Sequence, residues 1–164
     1  MDLTAWLTNF RELHERARRG LHTSEERARY LEAREHFARS LLESQGQNPV
    51  TGTSARRTFR VPKGLAVDVC FREGAWRGRT LDVSSGGFSC RLTHPPMAGE
   101  VGGFVLWLPE AHERPVTGLV RLVARDTGEQ EPRRVSLTFE DVDEEARERL
   151  ELMIFDLALG YVRA

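Results

Sequence analysis

The spacing of apolar residues changes along this chain, from a helical period before residue 45 to a period of two after residue 64. Over residues 3–17, apolar positions recur three or four residues apart, as they do on one face of an amphipathic helix. Over residues 65–72, apolar and more polar residues alternate, which is typical of a strand with one buried face. A helical region is therefore followed by a β region.

The helical region, residues 1–45, is predicted to form a hairpin of two helices. Gly20 interrupts the first apolar stripe, and Thr23 followed by acidic residues is a typical N-cap for a second helix. Residues 46–55 are small, polar and turn-forming, which favours a flexible linker. We expect this linker to separate the hairpin from the rest of the chain.

The β region, residues 56–164, contains six short apolar runs separated by turn-forming residues. No helical pattern lies between them, so they indicate an antiparallel sheet that closes into a barrel or folds as a sandwich. A final helix is predicted after Asp143, because apolar residues from Ala146 to Tyr161 share one helical face. The predicted strands are 65–72, 76–83, 88–92, 101–108, 116–125 and 134–139.

Charge and composition exclude several classes of partner. The chain has 24 basic and 25 acidic residues, a net charge of −1, which is unlike the basic surface of a DNA- or RNA-binding domain. No stretch approaches the ~18–20 apolar residues of a membrane span, and the N-terminus lacks the pattern of a secretory signal. We therefore expect a cytoplasmic protein that binds neither nucleic-acid polymers nor membranes.

Residues that could carry catalytic or metal chemistry are scattered. The five histidines are not placed at metal-ligand spacing, and the sequence contains neither a nucleophile elbow nor a P-loop. The two cysteines, Cys70 and Cys90, form no CxxC pair and are expected to be small buried residues on strands. The sequence therefore indicates a protein that is not an enzyme and needs no metal or cofactor.

Two short segments together form a more specific pattern. In the first, Arg56 and Arg60 are spaced as RxxxR, and in the second, Asp82, Ser84 and Gly87 are spaced as DxSxxG. Each alone is weak, since arginines before a strand can be a solvated edge and the second segment can be an ordinary tight turn. In this order, on this strand pattern, they resemble the PilZ family, whose pattern is RxxxR followed by (D/N)xSxxG.

The resemblance covers about residues 54–150 and implies both a fold and a ligand. PilZ domains are small β-barrels that bind the bacterial second messenger cyclic di-GMP, so the implied fold is α+β. It comprises a six-stranded antiparallel barrel, a C-terminal helix and the N-terminal helical hairpin, which lies outside the family domain. One departure is Ser136, at or near a position where the family often has glycine. Cyclic di-GMP would be a regulatory ligand, with no cofactor.

The motif residues suit the chemistry of this ligand. An arginine fork can bond the guanine edge, grip a phosphate or stack on a base. An ionised Asp82 accepts only, so it can take the N1–H and N2–H of guanine, while the Ser84 hydroxyl can donate or accept. Glycines allow a close backbone approach and positive φ. The candidate ligand-binding residues are Arg56, Arg57, Arg60, Asp82, Ser84, Gly86 and Gly87.

The leading hypothesis is a cyclic di-GMP receptor that couples ligand binding to a conformational change or to a partner. The alternative is a PilZ-like adaptor of motility or envelope machinery that acts without the nucleotide. The apolar stripe of the hairpin could pack on the barrel, pair with a second copy in a homodimer, or bind an unidentified target protein. A nucleic-acid-binding barrel is disfavoured by the neutral charge balance.

Overall fold

The computed structural model describes residues 2–47, 54–109, 114–128 and 131–160. The chain divides into two compact units, a helical unit of residues 1–59 and a sheet unit of residues 60–164. Within the described residues, no helix has the length and apolar character needed to cross a membrane.

The helical unit contains the two predicted N-terminal helices, α1 (Leu3–Arg18) and α2 (Ser24–Ser44), and a one-turn helix, α3 (Ala55–Thr58). The start of α2 is a capping box, in which Thr23 Oγ1 accepts from Glu26 N at 3.2 Å and the Glu26 carboxylate accepts from the Thr23 backbone. Two otherwise unpaired backbone donors are thereby satisfied, which explains why the helix begins there. Of the predicted linker, residues 48–53 lie outside the described part of the chain.

The interior of the helical unit is polar at its centre. Phe10, His14, Tyr30 and Arg34 are each at most 1% exposed. His14 Nδ1 lies 2.5 Å from the Tyr30 hydroxyl, and the Arg34 guanidinium lies 4.3 Å from the centroid of the Tyr30 ring. The hydrogen bond joins α1 to α2, and the cation over the ring is a cation–π interaction. This pairing of helices therefore depends on specific polar contacts as well as on apolar burial.

The sheet unit is an antiparallel sheet that curls into a half-barrel, followed by a helix. Its strands run in the order β2-β1-β5-β6-β7-β4-β3. The strands are β1 (Ala66–Phe71), β2 (Gly74–Arg79), β3 (Asp82–Ser84), β4 (Gly87–Leu92), β5 (Val101–Leu106), β6 (Val116–Arg125) and β7 (Arg133–Val142).

Seven strands are present rather than the six expected, because the predicted strand 76–83 changes partner midway. Its first part, β2, pairs with β1, and its second part, β3, pairs with β4. The change occurs at two residues: Thr80 N donates to Leu65 O at 2.9 Å, and Leu81 N donates to Ser89 O at 2.7 Å. Both hydrogen bonds join residues at least eight positions apart, so the local sequence pattern does not reveal the switch.

The core of the sheet unit is apolar. The rings of Phe88, Phe104 and Phe139 form a cluster with centroid separations of 5.1–6.0 Å. The final helix, α4 (Glu144–Ala158), lies against β3 and β6 and buries Ala146, Leu150 and Ile154 of the predicted apolar face. Met153 and Leu157 of that face are half-buried, and Tyr161 lies outside the described residues. Two of the ring pairs are tilted and one is stacked, and such pairs add to the burial of apolar area, so this cluster stabilises the curved sheet.

The two cysteines differ from the expectation that both are buried. Cys90, on β4, is buried, and its desolvation raises the pKa of the thiol to about 12. Cys70, on β1, is exposed because strand residues alternate between the core and the solvent, and Cys70 faces away from the core.

Candidate ligand-binding site

A carboxylate held between two arginines marks the surface of the sheet unit. Asp82 Oδ1 accepts from Arg60 Nη1 at 2.6 Å, and Asp82 Oδ2 accepts from Arg134 Nη2 at 2.8 Å. The Asp82 side chain is 17% exposed, whereas the Arg60 and Arg134 side chains are 40% and 48% exposed. Each arginine therefore bonds the carboxylate through one terminal nitrogen, while much of its side chain is exposed to solvent.

The backbone places Arg60 beside Asp82. The next residue, Val61, forms an antiparallel bridge with Val83, with N–H···O distances of 2.9 Å in both directions. Both valines are buried, so the alternation of side chains directs the neighbouring Arg60 and Asp82 away from the core. Arg60 of the RxxxR segment and Asp82 of the DxSxxG segment are 22 residues apart in sequence and thus form one ion pair.

Ser84 organises the turn that follows Asp82. Its hydroxyl donates to Gly87 O at 3.2 Å and accepts from Gly86 N at 3.2 Å, and the side chain is buried. The Gly86 carbonyl in turn accepts from Phe139 N at 2.9 Å. The hydroxyl therefore satisfies polar groups of the tight connection between β3 and β4, and it fixes the backbone beneath the Asp82 carboxylate.

Gly87 is required for a steric reason. Its φ is not positive, contrary to the sequence expectation, so conformational freedom is not what selects glycine here. A Cβ at this position would lie 2.0 Å from the Leu137 carbonyl oxygen on the adjacent strand β7. The glycine therefore permits the close approach of β4 to β7 that holds the motif turn against the sheet.

Arg134 is a site residue that the sequence analysis missed. It lies on β7, 52 residues from Asp82, and its Nη2 also lies 3.4 Å from Ser89 Oγ. No local motif contains it, and only the register of β4 against β7 brings it to the carboxylate. Knowledge of that register would have identified it, since Asp82 lies opposite Ser89 and Ser89 lies opposite Ser136, two residues beyond Arg134.

The first motif arginines belong to the helical unit, on α3. The carboxylate of Glu35, on α2, accepts from Ala55 N at 2.6 Å and from Arg56 N at 2.9 Å, so it caps the N-terminus of α3. The same carboxylate lies 3.7 Å from Arg56 Nε. Arg57 follows Arg56 on the same helical turn and is half-buried. Glu35, which no motif identifies, therefore holds the first half of the RxxxR segment.

The arrangement can bind an anion or a hydrogen-bonding ligand. A guanidinium has five N–H donors, and Arg60 uses only one of them on Asp82, so most of its donors can face a ligand. Asp82 accepts one hydrogen bond on each oxygen and, with about four lone-pair sites, can accept further donors. Within the described residues, no cluster of His, Cys, Asp and Glu is arranged to hold a metal ion.

A groove of about 490 Å³ lies elsewhere on the sheet unit, over β1, β2 and β5. Cys70, Trp76 and Gly103 contribute to its lining, and none of the motif residues does. We place the candidate site at Asp82 rather than at this groove, because the groove lacks a convergent set of charged donors. Ligands rich in phosphate require such donors.

The sheet unit is therefore an antiparallel half-barrel that carries two arginines on one aspartate. The family model of the PilZ domain matches residues 54–156, and the chain therefore belongs to the PilZ domain family. This range contains every candidate site residue predicted from the sequence. A search of curated proteins finds no match.

Solved structures with similar folds include other PilZ-domain proteins. The Bacillus subtilis inhibitor of motility MotI/DgrA matches with a TM-score of 0.54 and 18% identity, over 63% of this chain and 50% of that one. MrkH from K. pneumonia matches with a TM-score of 0.50 and 17% identity, over 64% and 50%. YcgR from Escherichia coli, in complex with cyclic di-GMP, matches with a TM-score of 0.49 and 18% identity, over 63% and 46%. The first two similarities show a shared fold, and the present chain spans about half the length of these proteins.

Proposed function

We propose that the protein is a cyclic di-GMP receptor without enzymatic activity, and that ligand binding changes its conformation or its interaction with a partner. The observation that carries the proposal is the Arg60–Asp82 ion pair, which joins the two halves of the PilZ motif at 2.6 Å. Family membership supports the choice of ligand, since this motif is the one associated with cyclic di-GMP in PilZ domains.

The chemistry of the cluster supports a guanine nucleotide over a simple anion. Asp82 can accept the N1–H and N2–H of guanine, whereas adenine has an unprotonated N1 and cannot make the same pair. Arg60 can bond a phosphate or the guanine O6 and N7 atoms with donors that Asp82 does not use. Because Arg60 and Arg134 keep Asp82 paired in any case, we expect the discrimination to be smaller than the about 10⁴-fold of sites whose polar groups are left unpaired.

The contacts of Glu35 suggest how ligand binding could change the conformation of the helical unit. We propose that Arg56 and Arg57 also bind the ligand, as the motif spacing indicates. The phosphate would then compete with the Glu35 carboxylate for the cation of Arg56. Because Glu35 lies on α2 and also caps α3, a change in this ion pair alters the helical unit itself. By linkage, a partner that binds one state of the helical unit would change the ligand affinity.

Isothermal calorimetry with cyclic di-GMP, GTP and cyclic di-AMP tests the proposed function. We expect the purified protein to bind cyclic di-GMP and to bind cyclic di-AMP at least ~100-fold more weakly, because adenine cannot donate to Asp82 in the same way. GTP carries the same guanine edge, so its affinity measures how much the cyclic dinucleotide adds beyond one guanine. We expect Asp82→Ala to abolish the preference for guanine, because the acceptor for N1–H and N2–H is lost.

Asp68→Ala is the matched control for this experiment. Like Asp82, Asp68 accepts from an arginine, here Arg77 of the neighbouring strand at 2.9 Å, but Asp68 lies outside the motif. The Asp68→Ala variant should therefore bind cyclic di-GMP as tightly as the wild type. If the wild-type protein binds no cyclic di-GMP at tens of micromolar ligand, the receptor proposal is wrong, and the nucleotide-independent adaptor becomes the better hypothesis.

A further inference from the structure

We propose that Arg134 is a third ligand-binding arginine, which contacts a phosphate of the nucleotide directly. The inference rests on the proposed function and extends it to a residue outside the PilZ motif. Arg134 lies on β7, and its guanidinium bonds the Asp82 oxygen that Arg60 does not use. Each oxygen of the Asp82 carboxylate therefore accepts from one arginine.

The local charge favours an anion at this position. Arg91, on β4, lies directly opposite Arg134 in the strand register, so both side chains project from the same face of the sheet. Arg91 is exposed and makes no hydrogen bond or ion pair with any residue that the structure describes. Like charges directly opposite on neighbouring strands destabilise a sheet. Arg60 and Arg134 share one carboxylate and Arg91 lies opposite Arg134, which leaves an excess of positive charge that an anionic ligand would neutralise.

Other carboxylates near this edge do not neutralise it. Glu131 lies 3.3 Å from Arg133 Nε, on the neighbouring residue of β7. Asp126 N donates to the Arg134 carbonyl at 2.9 Å, but the Asp126 side chain forms no ion pair among the described residues. Among those residues, Asp82 is the only carboxylate within 4.0 Å of the Arg134 guanidinium. Arg134 therefore shares its only nearby carboxylate, among the described residues, with Arg60. Its side chain is 48% exposed, and the hydrogen bond to Asp82 holds it in place.

The remaining donors of Arg134 suit a phosphate. Its Nη2 bonds Asp82 and approaches Ser89, which leaves Nε and Nη1 without a partner in these contacts. An arginine fork bonds two oxygens of one phosphate, and such charge-assisted bonds are stronger than neutral ones. Asp82 fixes the rotamer before the ligand arrives, so little side-chain entropy is lost on binding. The phosphate would therefore bind to a preorganised cation.

The experiment is a cyclic di-GMP titration of the wild-type protein, Arg134→Ala, Arg134→Lys and Arg77→Ala at low and at high salt concentration. Arg77 is the control, because it too is a strand arginine paired with an aspartate of another strand, Asp68. We expect Arg134→Ala to lower the affinity about tenfold or more. We also expect it to reduce the salt dependence, since one cation–phosphate contact is lost. Arg134→Lys should retain the salt dependence while losing affinity, and Arg77→Ala should behave as wild type.

Three results would overturn the assignment. The affinity of Arg134→Ala could match that of the wild type, or it could fall with an unchanged salt dependence, which would make Arg134 only a positioning residue for Asp82. A loss of equal size in Arg77→Ala would show a general effect of surface charge. Thermal melting shows whether each variant is folded. If Arg134→Ala is unfolded, the affinity and salt dependence of Arg134→Lys provide the test. A wild-type protein that binds no ligand refutes the proposed function itself, whereas a binding wild type with an unaffected Arg134→Ala refutes only this inference.

Discussion

The two halves of the RxxxR segment are held in different ways. Arg60 lies in the sheet unit, where the Val61–Val83 bridge and the Asp82 carboxylate fix both its backbone and its guanidinium. Arg56 lies in the helical unit, on a helix of one turn whose N-terminus is capped by Glu35. The sheet half is held by backbone hydrogen bonds to β3 and by the Asp82 carboxylate, whereas the helical half lies on a single helical turn capped by the Glu35 carboxylate.

This difference indicates which end of the RxxxR segment is preformed for the ligand and which end can change its conformation when the ligand binds. The short strand β3 pairs with β4 on one side and with Val61 on the other, so Asp82 and Arg60 move only if several hydrogen bonds break together, and we expect them to form the more rigid surface. A partly exposed ion pair such as Glu35–Arg56, with a separation of 3.7 Å, contributes about 1 kcal/mol or less and is easily exchanged. We therefore expect ligand specificity to arise in the sheet unit and conformational response to arise in the helical unit.

The largest effect on stability is expected at Gly87, where β4 packs closely against β7. Gly87→Ala would place a methyl group 2.0 Å from the Leu137 carbonyl oxygen, so β4 and β7 must separate. We expect the free energy of unfolding to fall by about 2–3 kcal/mol or more, measured by thermal or urea denaturation. Gly78→Ala on β2 is the control, since a Cβ there meets nothing within 4 Å. Equal stability of the two variants would show that the β4–β7 contact adjusts easily, and the sheet half would not be rigid.

The next effect compares the two motif arginines directly. We expect Arg60→Ala to lower the affinity for cyclic di-GMP about 100-fold, because it removes a preorganised donor and leaves Asp82 with fewer partners. We expect Arg56→Ala to lower it about tenfold, because the gain from the ligand contact is partly offset by the nearby Glu35 carboxylate. Calorimetry on both variants measures the ratio. A larger loss for Arg56→Ala would reverse the comparison and place the main anchor in the helical unit.

The smallest effect concerns Glu35 itself. Glu35→Gln removes the negative charge beside Arg56, and we expect the affinity for cyclic di-GMP to rise about two- to threefold. Glu32→Gln, an exposed residue on the same helix, is the control and should not change the affinity. A loss of affinity in Glu35→Gln would show that the carboxylate preorganises α3 for the ligand. The helical half would then be as preformed as the sheet half.

Much of the fold could be predicted because its signals are local. The capping box at Thr23, the helical stripe before residue 20 and the alternation after residue 64 each depend on neighbours within a few positions. The strand count was wrong because the exchange of partners at Thr80 depends on hydrogen bonds to Leu65, which is distant in sequence. The motif residues were found by spacing, although spacing alone does not show that Ser84 bonds Gly86 and Gly87.

The amino-acid sequence by itself determined the helical and β regions, the order of the motif halves and the family, since these follow from periodicity and spacing within short windows. The tertiary structure alone decided that Arg134 joins the site and that Glu35 holds Arg56, because both contacts join residues from separate elements. It also gave the reason for Gly87, which is contact with a neighbouring strand rather than a positive φ. Strand register and side-chain direction set such contacts, and both depend on how the whole sheet or helix pair packs.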